Sequence, residues 1–155
     1  MSGTRELGAI EQRINDDGIA ALKAGDKRRR QACSGIVAAL KKERIDSRRE
    51  PTEADELTVL KRERKRRAEA IEVYDQAGRK DLADQERYEE ELLKSYMPEE
   101  LGDAELEALV DEGVAATGAV TPKDMGKVMG WLKPKVAGRA DGKKLSDMVR
   151  GRLGG

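Results

Sequence analysis

The chain of 155 residues has no histidine and no phenylalanine, one cysteine, one tryptophan, three tyrosines and four prolines. Without histidine, imidazole general acid–base chemistry and His-ligated metal sites are excluded. The lone thiol, Cys33, cannot close a disulfide within the chain, so a reducing compartment is the simplest expectation. Aromatic and β-branched residues are sparse, which leaves strands little to pack with. No apolar run approaches the ~20 residues of a membrane helix. The start MSGTRELGAI has no apolar segment of secretory-signal type. The expected location is therefore the cytoplasm, with no membrane partner. Net charge is absent as well: 31 basic residues face 31 acidic ones, so the whole molecule exerts no long-range pull on a polyanion.

What is present is helix-forming and charged. Ala, Glu, Lys, Leu and Arg supply 82 of the 155 residues, the composition of long helices, and the expected fold class is all-α. Charge is distributed unevenly. Residues 97–120 carry seven acids and no base, whereas 121–155 carry nine bases and three acids.

Hydrophobic periodicity places four helices in the first part of the chain. Residues 5–24 put Leu7, Ile10, Ile14 and Leu22 on one stripe with Asp16 and Asp17 facing away. Gly18 weakens this helix by about 1 kcal/mol relative to Ala, and Gly25 ends it. Asp26 caps a second helix running to about Asp46, with Cys33, Ile36, Val37 and Leu40 inward. Its first turn is the basic run KRRR at 27–30, at the end of the helix dipole that disfavours cations. A solvated face and a partner-binding face are both open readings of that run. Thr52 caps a third helix, with Asp55 three residues on as a near capping box, and the helix runs to Gly78. Its stripe of Leu57, Leu60, Ala68, Ile71 and Tyr74 also contains Arg64 and Arg67. The surrounding KRERKRR at 61–67 reads either as a nucleic-acid patch or as a solvated face paired with Glu56, Glu63, Glu69 and Glu72. A fourth helix, Asp81 to Tyr96, turns Leu82, Leu92, Leu93 and Tyr96 inward and the acids 89–91 outward, until Met97 and Pro98 stop it.

A composition change at this point sets the expected domain boundary. Residues 1–96 form an N-terminal four-helix domain and 97–155 a small three-helix bundle. In the second part, an acidic helix 103–117 buries Leu106, Leu109, Val110 and Val114 and ends at Gly118. Thr121 and Pro122 start a short helix with Asp124 as a near capping box and Met125, Val128, Met129 and Leu132 on its stripe. Gly126 and Gly130 leave one flank bare for a neighbouring backbone, and Pro134 limits the helix. After a turn at 138–140, Asp141 caps a last helix carrying Leu145, Met148, Val149 and Leu153.

The segment KDMGKVMGWLKPKVAGRADGKKLSDMV, with EEELLKSYMPEEL, EALVDEGVAATGA, KRERKRRAEAIEVYDQAGRKDLADQE and INDDGIAALKAGDKRR upstream, resembles the GatB/YqeY family across nearly the whole chain. It is similar to the stand-alone YqeY-like proteins and to the tail of the B subunit of the glutamyl/aspartyl-tRNA amidotransferase. Coverage of this extent without a catalytic core upstream points to the stand-alone branch. Lys127, Gly138, Arg139, Asp141 and Gly142 stand where the family pattern has them, while Arg30, Cys33 and Gly35 depart from it. The resemblance implies a two-part helical protein connected to tRNA, because the amidotransferase tail helps hold the tRNA body. It also carries the family label of carbon–nitrogen ligase with glutamine as amido-N-donor.

The residues themselves offer no catalytic constellation for that label. Cys33 lies on an apolar helix face, Ser34, Ser95 and Ser146 lack a base, and Glu89 and Glu90 are adjacent on a helix and do not converge. No cofactor and no metal site are expected. The C-terminal motif has the chemistry of a phosphate contact: a helix N-terminus at Gly142 with Arg139 before it and Lys143 and Lys144 after it, supplemented by Lys127, Lys133 and Lys135. Trp131 reads either as a packing residue or as a stacking platform for a base. The expected function is a non-catalytic tRNA-associated module. The alternative is an adaptor that docks an amidotransferase or synthetase subunit through helix 103–117 or helix 52–78.

Overall fold

The computed structural model describes residues 6–154. Residues 1–5, on which part of the reading of the N-terminal start and of a first helix from residue 5 falls, lie outside the described residues; residues 6–8 are described and not helical, so the first helix starts later than expected, after Gly8. Among the described residues the chain is all-helical, with no strand: α1 Ala9–Lys23, α2 Lys27–Ser47, α3 Glu53–Gln76, α4 Lys80–Ser95, α5 Asp103–Thr117, a 3-10 turn Pro122–Asp124, α6 Met125–Val136 and α7 Gly142–Arg152. None of these helices is long and apolar enough to cross a membrane. The chain divides into two compact units, Met1–Met97 and Pro98–Gly155.

The core of the first unit is built from Ile14, Ala32, Cys33, Ile36, Leu40, Leu57, Val59, Leu60, Leu92, Leu93 and Tyr96. Each large aliphatic side chain among them contributes roughly 1.5–3 kcal/mol on burial. The stripe expected on α1 is only half realised. Ile14 is fully buried and Ile10 packs at the edge, but Leu7 and Leu22 are exposed, and Glu11 and Ala21 take the inward positions. Asp17 does not face away: its carboxylate accepts a hydrogen bond from the Tyr96 hydroxyl.

The reason Glu11 is inside lies at the start of α1. The Glu56 carboxylate accepts from the backbone N–H groups of Ile10 at 3.2 Å and Glu11 at 2.7 Å, satisfying donors that every helix N-terminus leaves open. Gly8 precedes this turn, and a Cβ there would collide with that carboxylate. The Glu11 side chain then receives a two-pronged grip from Arg44, Nε at 3.0 Å and Nη2 at 3.1 Å. Glu56, expected to pair along its own helix, instead caps another.

On α3 the expected capping box is present, with Thr52 and Asp55 each accepting from the other's backbone N–H. Leu57 and Leu60 are buried, but Ala68 is exposed, and further along the stripe becomes ionic. Arg64 reaches Glu90 at 3.6 Å, and Arg67 reaches Glu89 at 3.4 Å and Glu63 at 3.3 Å. The acids 89–90 therefore face α3 rather than solvent, because the arginines bury their stems there and bring their charge inward with them. Only Glu91 of that run stays outside.

In the second unit Leu106, Val110, Val128, Leu132, Val136, Leu145, Val149 and Leu153 form a separate core. Lys144 pairs with Asp103 and Arg152 with Asp111, the latter at 2.7 Å. Both pairs span the same 41 positions, so α5 and α7 run parallel and in step. The 3-10 turn at 122–124 carries its capping box, with Asp124 accepting from Val120 and Thr121 N–H. Pro134 does not stop α6, which continues to Val136 and closes with Ala137 at φ 47°, ψ 43°. The bare flank of Gly126 and Gly130 meets no neighbour, since a Cβ at either would enter open space. The close approach is made by Gly113 of α5, where a Cβ would stand 2.9 Å from Trp131 Cε3.

Candidate nucleic-acid interface

The six basic residues singled out in the C-terminal motif divide into three environments. On α6, Lys127 and Lys135 share a flank with Trp131 at i, i+4 and i+8. Lys135 lies over the indole, its Nζ 4.3 Å from the ring centroid. That contact covers one face of Trp131 while Gly113 lies against its Cε3 and Cζ3 atoms, so the indole is a packed residue with a cation on it. Lys127 is largely exposed, its only ionic neighbour among the described residues being Asp124 at 4.0 Å. Lys133, two residues from Lys135, points about 160° away from it around the helix and pairs with no described residue.

Around α7 the geometry is different. Asp141 caps the helix by accepting from Lys144 N–H at 3.2 Å, which uses one of the open donors at this N-terminus. Lys144 turns back to Asp103. Arg139, half-buried, donates from Nε to the Glu99 carbonyl at 2.8 Å, and its own carbonyl accepts from Leu101 N–H at 2.8 Å. It thereby ties the 99–101 segment to the turn before α7. Lys143 is exposed, pairs with no described residue, and lines a shallow open depression with Asp141, Lys144, Asp147 and Met148. Lys143 and Lys133 are thus the least encumbered of the six. Arg139 and Lys144 have structural work that sequence spacing could not reveal, because their partners lie about forty positions away in the chain.

The groups considered for catalysis are placed as follows. Cys33 is 1% exposed, and burial pushes its thiol up from the ordinary value, which suppresses the thiolate that a nucleophile needs. Burial and the hydrogen bond to Asp17 likewise push the Tyr96 hydroxyl up. Ser95 donates to the Leu92 carbonyl of its own helix.

These features define a class, an all-helical protein of two small units with lysines exposed on the second. The family model for Yqey-like protein matches residues 11–153, and the chain belongs to that family. Among curated proteins none matches it.

Proposed function

We propose that this protein is a non-catalytic, tRNA-associated helical module that contacts phosphates through its C-terminal unit. The observation that supports this reading is that two lysines of the C-terminal motif are exposed and pair with no described residue, whereas the arginines of the dense basic run 61–67 on α3 are all committed to acids. In the first unit Arg64 and Arg67 are committed to Glu89, Glu90 and Glu63. In the second, Lys133 and Lys143 pair with no described carboxylate, and Lys127 has only its contact with Asp124 at 4.0 Å. Unpaired lysines on a surface gain by neutralising phosphate and releasing its counterions, without reading base sequence. The test is a gel shift of tRNA with the full chain. A shift at about 50 mM salt that fades by about 200 mM, and is weakened about tenfold or more in Lys133→Glu/Lys143→Glu, supports the proposal. No shift at the lower salt ends it.

A second reading, an adaptor for an amidotransferase or synthetase subunit, rests on the acids of α5. There Glu105, Glu107 and Glu112 are exposed and pair with no described residue. It requires co-purification of a protein that survives nuclease treatment and is lost when these three are changed to Lys.

A further inference from the structure

Between α1 and α2 runs a shallow groove of about 90 Å³, lined on its apolar side by Ile14, Gly18, Ile19, Leu22, Cys33 and Val37. A Cβ on Gly18 would stand 3.2 Å from that of Cys33, so the missing side chain both lets the helices close and keeps the floor of the groove low. Ile19 and Leu22 are 46% and 55% exposed. One wall of this groove is cationic. Lys27, Arg30, Ser34 and Lys41 follow a three-four spacing along one flank of α2, and Arg30 and Ser34 line the groove directly.

Among the described residues no carboxylate pairs with the charge on that wall. Of the run at 27–30, Arg28 donates to Gln85 and to the Asp84 carbonyl and covers the Tyr88 ring, and Arg29 is partly buried beside Tyr96. Lys27 and Arg30 are exposed, pair with no described carboxylate, and sit at the end of α2 where the helix dipole repels them. Lys23 and Lys41 are likewise exposed and pair with no described residue. The nearby acids are engaged elsewhere: Asp16 with Gln12, Asp17 with Tyr96, and Asp26 with the Arg29 N–H.

We propose that this groove docks an acidic amphipathic helix of another protein. An aliphatic side chain of the partner seats over Gly18 between Leu22 and Val37, and its carboxylates lie along Lys27, Arg30 and Lys41. The helical spacing of the cationic wall matches the i, i+3, i+7 rhythm of a helix laid beside it. Nucleic acid would use the lysines but gains nothing from exposed Ile19 and Leu22. The proposal is independent of the tRNA reading, since it concerns the first unit and different cations.

The test is selection of a displayed library of helical peptides, about four turns long, on the full chain, followed by binding measurements with synthetic copies. Enriched peptides should combine Leu, Ile or Met at i, i+3/i+4 spacing with flanking Asp or Glu. They should bind about tenfold or more weaker to Leu22→Asp, and to Arg30→Glu/Lys41→Glu, with the helical content of both variants unchanged by circular dichroism. No enrichment, enrichment of peptides without acids, or equal binding by the variants overturns the proposal. So does displacement of the peptides by tRNA with unchanged sensitivity of tRNA binding to Leu22→Asp, or concentration-dependent self-association abolished by that substitution, because the occupant is then nucleic acid or a second copy.

Discussion

Ala137 holds φ 47°, in the left-handed region that an L-residue enters at a cost of roughly 1–2 kcal/mol. It does so because α6 must close and hand the chain to the turn carrying Arg139. Ala137→Gly removes that cost and gives back part of it through a freer unfolded chain. The expected outcome is a stabilisation of about 0.5–1 kcal/mol, read from the denaturant midpoint of Trp131 fluorescence. Gly113 poses the opposite case. Its ordinary helical backbone needs no glycine, but the indole of Trp131 occupies the space of a side chain. Gly113→Ala should destabilise by about 1–3 kcal/mol and shift the emission of the single tryptophan, whereas Gly130→Ala, which faces open space, should leave emission unchanged.

At the scale of elements, α1 is held by ionic contacts as much as by its apolar face. Glu56 caps its start, and Arg44 grips Glu11, with side chains only 11% and 4% exposed. Arg44→Met would strand a buried carboxylate, and a loss of about 3–5 kcal/mol is expected by thermal or denaturant unfolding. Adding Glu11→Leu should recover most of it, since no charge then remains buried. The 3-10 turn before α6 supplies a pH test. Hydrogen bonds from Val120 and Thr121 N–H hold the Asp124 carboxyl below its usual range. A carboxyl lowered on folding stabilises fully above its unfolded value, near pH 4, and that contribution is lost as the pH falls through the folded value. Asp124→Ala should therefore be less stable than the parent at pH 7, and the difference should shrink as the pH is lowered below about 4.

For the whole molecule, a formal net charge of zero means that any attraction to RNA is local and strongly screened. The proposed tRNA contact should show a linear fall of log affinity with log salt. Lys133→Ala and Lys143→Ala should each reduce that slope by about one. A slope unchanged in both variants would remove these residues from the interface.

By itself the sequence determined the helical class, most helix limits and the caps at Asp26, Thr52, Thr121 and Asp141, because these depend on neighbours within one or two turns. It also carried the family, whose model spans residues 11–153. Only the tertiary structure decided how the charges were used. Glu56 left its own helix to cap α1, Arg64 and Arg67 turned acids 89–90 inward, and Arg139 and Lys144 found partners about forty residues away. The same holds for Gly113, chosen over Gly126 and Gly130 as the place of close approach. Long charged side chains can reach any of several partners at similar free energy, so their pairing is set by which helices packing brings together.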